Sequence, residues 1–141
     1  MRLTIREADY VLDGSSLRAI RFAVFVDEQN VPAEIELDDR DPRCIHLLAL
    51  ADEKAVGTAR IDIEQGGKVG RLAVLSSYRR RGVGRALMER CHEIAARRGL
   101  DAVWCHAQAT AVPFYERLDY RVVDAPFEEA GIVHRRMIRR F

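Results

Sequence analysis

The sequence predicts a single-domain α/β fold with a mixed, mostly antiparallel sheet flanked by helices. Three observations support this prediction. The chain has 141 residues, enough for one domain with a substantial hydrophobic core. Residues 44–75 contain three apolar runs separated by short polar turns, a pattern typical of an antiparallel meander. After residue 82 the apolar residues recur at helical spacing, and another strand-like run follows.

The N-terminal region predicts a strand followed by a helix. Leu3 to Arg6 is typical of a short strand. Three side chains offer N-cap oxygens to the helix that follows: Asp13, Ser15 and Ser16. Apolar residues then recur at helical spacing until about Val26, and Val31-Pro32 ends the helix.

The rest of the chain completes the order β-α-β-β-β-α-β-α-β-β. The meander strands are expected at Cys44 to Ala51, Ala55 to Ile63 and Lys68 to Leu75. Within them, Gly57 is expected to mark a bulge or a close approach. A long helix begins at Val83 and ends before Gly99, a favourable C′ residue. The last elements are a strand at Leu100 to Ala107, a short helix capped by Thr110 and ending at Leu118, and a strand pair at Tyr120 to Val123 and Ile132 to Ile138.

The composition argues against several classes of protein. The net charge is +1, and no apolar run approaches the roughly 20 residues that span a bilayer. The three cysteines, Cys44, Cys91 and Cys105, form no C-x-x-C pair, so neither a disulfide framework nor a metal site is expected. The first ten residues lack the apolar region of a signal peptide. The expected location is therefore the reducing cytoplasm.

Charge concentrates in two segments of opposite sign. Acidic residues crowd the segment from Glu34 to Asp41, which is expected to be a loop with about one helical turn. Such a segment could attract a cationic amine, although runs of this kind more often form solvated loops. Arginines crowd the second segment, at Arg79, Arg80, Arg81 and Arg85.

The arginine segment predicts an anion-binding site. Lys68 to Met88, KVGRLAVLSSYRRRGVGRALM, is expected to run from strand through loop to helix. A helix N-terminus presents unpaired N–H groups and a partial positive charge, and glycine lets the backbone approach an anion closely. Arginine adds forked donors, so a pyrophosphate is a suitable ligand. Neither the P-loop sequence nor the Rossmann G-x-G-x-x-G is present.

These residues resemble the GNAT superfamily of N-acetyltransferases. Arg79-x-x-Gly82-x-Gly84 is similar to its acyl-CoA pyrophosphate motif, R-x-x-G-x-G/A. Val112 to Leu118, VPFYERL, resembles the family's A-x-x-F-Y-E-x-L-G-F segment. Phe25 to Pro32, FVDEQNVP, resembles the smaller ElaA-like subgroup, as do Ala107-Gln108 and Gly131 to His134. Residues 1–141 are therefore expected to form one N-acetyltransferase domain.

The resemblance implies that acetyl-CoA donates an acetyl group to a primary amine, which attacks directly in a ternary complex. The acceptor is not identified, no nucleic acid or membrane is expected to bind, and homodimers are frequent in the family. The expected acetyl-CoA contacts are Leu72, Ala73, Val74, Arg79, Arg80, Arg81, Gly82, Val83, Gly84, Arg85, Gln108 and Phe114. Three positions depart from the usual residues: Arg80 and Asp119 replace glycines, and Gln108 replaces asparagine.

Acetyl transfer also needs groups that move protons. An alkylammonium has a pKa of about 10.4, so deprotonating it at pH 7 costs roughly 4 to 5 kcal/mol. Tyr115 matches the tyrosine that protonates the leaving thiolate in many family members. Glu28, near the expected amine entrance, is the predicted base; His46, His106, His134 and a water chain are alternatives.

Two other function classes remain open from the sequence. A non-catalytic acyl-CoA sensor would use the same anion site, but it would need no acid at Tyr115. A nucleic-acid-binding module would use the arginines. Against it, the net charge is only +1 and no strand carries interleaved exposed aromatic residues.

Overall fold

The computed structural model describes the backbone of residues 1–141 and the side chains of all of them except Ile35. The strands are β1 (Leu3–Ala8), β2 (Ile45–Ala51), β3 (Lys54–Asp62), β4 (Lys68–Val74), β5 (Ala102–Gln108), β6 (Arg121–Val122), β7 (Phe127–Glu129) and β8 (Ile132–Arg140). The helices are α1 (Gly14–Arg21), α2 (Ala33–Glu36), α3 (Val83–Arg97) and α4 (Val112–Glu116). A π-helical segment, Phe22–Glu28, continues α1.

The strands form one sheet in the order β1-β2-β3-β4-β5-β8-β6, with β7 paired to β8. All strand pairs are antiparallel except β4–β5, which is parallel and registers only at Lys68 and Trp104. Because no further register forms beyond this pair, β4 and β5 separate toward their carboxyl ends. This separation positions the site described below.

A helix layer covers each face of the sheet. On one face, buried residues of α3 such as Val83 and Leu87 join the main core with β2, β3 and β5. On the other face, Leu17 and Ile20 of α1 form a smaller core with Leu48 and Ala73. Hydrophobic residues at helical spacing thus form the stripes predicted from the sequence.

Strand β4 changes face in the middle. The β3–β4 register shifts between Thr58 and Arg60, and Arg71 on β4 has φ 50°. A regular strand would place Val69 and Ala73 on the same face, because side chains alternate with period two. Instead Val69 packs in the main core and Ala73 packs against α1. The bulge therefore redirects the second half of β4 beside the opening.

Gly57 has both of the roles expected of it. The β2–β3 register shifts beside it, between Ala49 and Leu50. A Cβ at Gly57 would lie 3.0 Å from Val83 and 3.2 Å from Leu87. A larger residue would push the N-terminal turn of α3 away from the sheet.

Two predicted caps are wrong in detail. Asp13 occupies the N-cap position of α1, but its carboxylate accepts hydrogen bonds from Arg6 and from the Asp9 N–H instead of capping the helix. Ser15 and Ser16 lie inside α1. Thr110 lies within a 3₁₀ turn, Ala109–Ala111, and α4 has no side-chain cap. For Asp13, the local hydrogen bond from the Asp9 N–H competes with capping.

The structure contains a strand that was not predicted, β7. It forms a hairpin with β8 through Ala130 and Gly131, whose φ angles are 53° and 75°. Two consecutive positive φ angles are typical of the tight turns that favour hairpins. The predicted pairing of residues 120–123 with the last strand is confirmed by the β6–β8 register.

Candidate functional site

A cleft of about 890 Å³ opens where β4 and β5 separate. Its walls come from the π-helical segment, the second half of β4, the face of β5, the first turn of α3, α4 and the β7–β8 hairpin. Of the residues predicted to bind acetyl-CoA or act in catalysis, all but Arg81 line this cleft. Arg81 instead stacks its guanidinium over the Tyr78 ring, 5.6 Å from the centroid.

The N-terminus of α3 forms one end of the cleft. Gly82 is its N-cap residue with φ 81°, and no side chain caps the helix. The first backbone bond runs from the Ala86 N–H to the Gly82 carbonyl, so the preceding N–H groups have no partner within the helix. Val83 is buried and can offer only its backbone. Gly84 lies under Phe114, since a Cβ there would be 3.4 Å from that ring.

The loop between β4 and α3 carries Arg79, Arg80 and Arg81 and is called the arginine loop. It adds positive charge to this helix terminus. Arg80 keeps φ 62°, the conformation that glycine adopts without strain, so it carries a modest conformational cost. Its guanidinium is exposed at the cleft, as is that of Arg85. Partial positive charge from the helix and full charge from the arginines coincide, an arrangement suited to a phosphate group.

Arg79 joins the two walls of the cleft. It donates one hydrogen bond to the Glu28 carboxylate and another, 2.9 Å long, to the Val74 carbonyl. Beside it, the Gln108 amide donates to the Gln29 side-chain oxygen over 2.7 Å. The end of the π-helical segment is thus tied to β4 and to β5. The carboxylate predicted as the base is therefore held in an ion pair with a guanidinium.

Tyr115 of α4 also lines the cleft. Its ring packs edge-on against Phe114 and Tyr120, and its hydroxyl has no hydrogen-bond partner in the described part of the protein. Burial raises the pKa of Tyr115 well above its ordinary value of 10.0. The hydroxyl therefore stays protonated at neutral pH and can act as a proton donor at the cleft.

The histidines considered as bases occupy different places. His46 lies outside the cleft, buried, with Nε2 2.8 Å from the Asp41 carbonyl and its ring stacked on Tyr10. His106 and His134 both line the cleft. The carboxylate of Glu129, on the β7–β8 hairpin, lies between them.

The comparisons with known proteins agree with this geometry. The sequence profile of the acetyltransferase (GNAT) domain matches residues 10–141. The chain belongs to the GNAT family of acetyltransferases. An uncharacterised N-acetyltransferase of Bacillus subtilis, YjcF, is 41% identical over 122 residues, covering 85% of this chain and 87% of the relative.

Two solved structures resemble this acetyltransferase over almost the whole chain. Escherichia coli ElaA superposes with a TM-score of 0.86 at 28% identity, covering 98% of this chain and 99% of ElaA. An acyl-CoA N-acyltransferase from Pseudomonas aeruginosa superposes with a TM-score of 0.83 at 30% identity, covering 98% of each chain. The resemblance to the GNAT family and its ElaA-like members is thereby confirmed, as is the predicted α/β fold.

The acidic segment of this acetyltransferase is an ion-pair network, not a solvated loop. Asp41 is fully buried and accepts hydrogen bonds from Arg21 and Arg60; Glu36 is buried and accepts from Arg21. Asp38 accepts from Arg60 over 2.8 Å. Burial of Asp38 favours its neutral form, but the Arg60 hydrogen bond and the positive charges of Arg60 and Arg71 together outweigh this and lower its pKa to about 2. The solvated-loop interpretation is therefore wrong for these three residues.

This network forms the far end of the cleft from the arginine loop. Glu36 and Asp38 line the cleft together with four basic side chains: Arg40, Arg60, Lys68 and Arg71. Because the carboxylates are matched by arginines, the segment has little surplus negative charge with which to attract a cation. Among the described side chains, no group of three or more acidic, histidine or cysteine residues is placed to hold a metal ion.

Sequence reasoning missed two groups at this end, Glu129 and Lys68. Glu129 belongs to the unpredicted β7, and Gly131 was the available signal, since glycine favours the second position of a two-residue hairpin turn. Lys68 was assigned to a strand without a role. Its ammonium lies over the Trp104 ring, 5.3 Å from the centroid.

No helix in the described chain has the length and apolar character needed to cross a membrane.

Proposed function

We propose that this protein transfers the acetyl group of acetyl-CoA to a primary amine, which attacks the thioester directly in a ternary complex. The observation that carries the proposal is the joining of two chemical features in one cleft. An uncapped helix N-terminus flanked by arginines lies at one end, and Tyr115, whose raised pKa keeps its hydroxyl protonated, lines the same cleft. The name of the Pseudomonas relative, an acyl-CoA N-acyltransferase at 30% identity, supports the same donor.

The pyrophosphate of the donor would bind at the helix terminus. Its oxygens would accept hydrogen bonds from the free N–H groups of residues 82–85 and from the cleft arginines. Strand β4 has no register with β5 beyond Lys68, so the β5-facing backbone groups of Leu72 to Val74, other than the Val74 carbonyl that accepts from Arg79, are available to the peptide-like pantetheine arm. Phe114 and Gln108 would complete this half of the cleft.

Three protein groups would serve the reaction. Backbone N–H groups near Val74 would polarise the thioester carbonyl, as in an oxyanion site. Tyr115 would give its proton to the leaving sulfur, whose thiol has an intrinsic pKa of about 8.5. A base would accept a proton from the amine. Glu28 stays a prediction for that base, although its pairing with Arg79 favours a different group.

The test is release of free CoA thiol from acetyl-CoA in the presence of a panel of primary amines. We expect amine-dependent release by the wild-type protein. Tyr115→Phe should lower it about 10² to 10⁴-fold while CoA binding, measured by calorimetry, is unchanged. Tyr120→Phe is the matched control, because it removes a hydroxyl that is bonded to His92 and does not line the cleft.

The outcomes separate the enzyme from an acyl-CoA sensor. CoA binding without thiol release for any amine would contradict catalysis and favour the sensor. No CoA binding by the wild-type protein would contradict both. Equal loss of activity in the two tyrosine variants would indicate a packing defect instead of a missing acid.

A further inference from the structure

The β7–β8 hairpin places one carboxylate against two imidazoles in the cleft. Glu129 Oε1 lies 3.2 Å from Nδ1 of His106, and Glu129 Oε2 lies 3.7 Å from Nε2 of His134. His106 is on β5, while the other two residues belong to the hairpin. Phe127 packs edge-on against His106 and stacks with His134, so both rings are held in place.

The hydrogen-bond partners fix where the proton of His106 lies. An ionised carboxylate can only accept, so Nδ1 of His106 is the nitrogen that donates to Glu129. In the neutral imidazole the other nitrogen, Nε2, then carries a free lone pair. His134 is different, because its Nδ1 lies 2.7 Å from the carbonyl of Ile132 in its own strand. Of the two, His106 has the carboxylate-oriented arrangement of a general base.

The surroundings keep His106 neutral. Burial is the largest cause that lowers its pKa below 6.5, and the positive charge of Lys68 on β4 adds to this; Glu129 acts in the opposite direction. His134 lowers the pKa slightly further. On β8, Arg136 is the register partner of His106, and its guanidinium lies over the Trp104 ring, 4.7 Å from the centroid. A neutral imidazole at pH 7 is ready to accept a proton.

The position of His106 fits the reaction. Trp104, two residues earlier on β5, forms the last register with β4, and Gln108 lies two residues later. Alternate residues of a strand share a face, so His106 and Gln108 point to the same side, just where β4 and β5 part. Tyr115 lines the same cleft.

We propose that His106 is the general base of the acetyl transfer and that Glu129 positions it. The inference rests on the proposed function. The acceptor ammonium gives one proton to Nε2 of His106, which passes it to solvent. The neutral nitrogen forms the C–N bond, the C–S bond breaks, and the sulfur takes the proton of Tyr115. The second proton lost from nitrogen restores the Tyr115 hydroxyl.

The experiment compares Glu129→Gln with Glu128→Gln, its exposed neighbour on the same strand, which makes no described contact with an imidazole. The His106 imidazole is titrated by NMR in each protein, and thiol release from acetyl-CoA with the best amine of the panel is measured against pH. In Glu129→Gln the pKa of His106 should fall by about one unit, since a stabilising negative charge is lost. The acidic limb of kcat/KM should move with it, and kcat should fall about 10-fold or more. Glu128→Gln should match the wild type in both measurements.

His106→Gln gives the direct test of the base. It should lower kcat about 10² to 10⁴-fold with CoA binding unchanged. Activity within a few-fold of wild type would overturn the assignment of His106. An unchanged His106 titration in Glu129→Gln would overturn the pairing even without an acceptor. Absence of any amine-dependent release by the wild-type protein would instead overturn the proposed function, so the two failures are distinguishable.

Discussion

The arginine loop and the acidic segment are equally prominent in the sequence, yet the first is exposed in the structure and the second is largely buried. The arginines at 80, 81 and 85 are exposed beside the N-terminus of α3. In the acidic segment, Glu36 and Asp41 are 3% and 0% exposed and are held by arginines from other elements. One cluster is therefore available to a ligand, and the other is part of the core.

The two clusters differ in the counterions that the rest of the fold brings to them. The arginine loop lies between β4 and α3, and the helix that follows it adds charge of the same sign. Arg79 pairs with Glu28 and Arg85 with Glu89, both at the surface, whereas Arg80 and Arg81 have no carboxylate partner among the described side chains. The acidic segment packs against Arg21 of α1 and Arg60 of β3, which offset its charge. A run of like charges thus indicates a binding site only when the fold leaves some of its members exposed and without counterions.

The largest expected effect is on stability. Asp41→Asn removes the carboxylate between Arg21 and Arg60 and leaves two buried guanidinium groups without full compensation. The free energy of unfolding should fall by about 3 to 5 kcal/mol, measured by urea denaturation. Glu34→Gln, an exposed change in the same segment, should cost less than about 0.5 kcal/mol. Equal stabilities would show that the segment is not a core element.

Acid should weaken the same segment before it affects the arginine loop. The pKa of Asp38 is lowered from 3.8 to about 2, so its ion pairs stabilise the fold fully above pH 4. As the pH falls from 4 toward 2, up to about 2 kcal/mol of that stability should be lost, because the unfolded chain takes up the proton first. Asp38→Asn should flatten the pH dependence of unfolding in this window. An unaltered slope would contradict the role of Asp38.

The donor half of the cleft was predictable because it is local. A strand, a loop and a helix start within residues 68–88 supply its backbone donors and arginines, and the apolar periodicity gives each of these elements. The acceptor half depends on contacts that sequence patterns do not encode. His106 and Glu129, for example, are 23 residues apart. Pairings of that kind follow only from the sheet order.

Local sequence propensity also did not predict where the first helix ends, because tertiary contacts determine the backbone there. The first helix was expected to end near Val26, but π-helical turns carry it to Glu28, where Arg79 and Gln108 hold its end. The cleft thus gains a wall that periodicity alone did not predict.

A homodimer, expected from the family, stays a prediction.

The smallest expected effect concerns Glu28. Glu28→Gln removes a negative charge beside the arginine loop, so CoA should bind about threefold more tightly, as is typical of exposed ion pairs. Thiol release should stay within about fivefold of wild type. Asp27→Gln is the control, since Asp27 is exposed and does not line the cleft. A loss of 100-fold or more in Glu28→Gln alone would identify Glu28 as the base and remove His106 from that role.

The most direct test of the account is calorimetric titration of CoA into the wild-type protein and two arginine variants. Arg80 lines the cleft and Arg81, its neighbour, does not. Arg80→Gln should weaken CoA binding about 10-fold, the effect of losing one charge-assisted hydrogen bond. Arg81→Gln should bind CoA as the wild type does. Equal affinities in all three proteins, or no binding by the wild type, would contradict the assignment of this helix terminus as the CoA site.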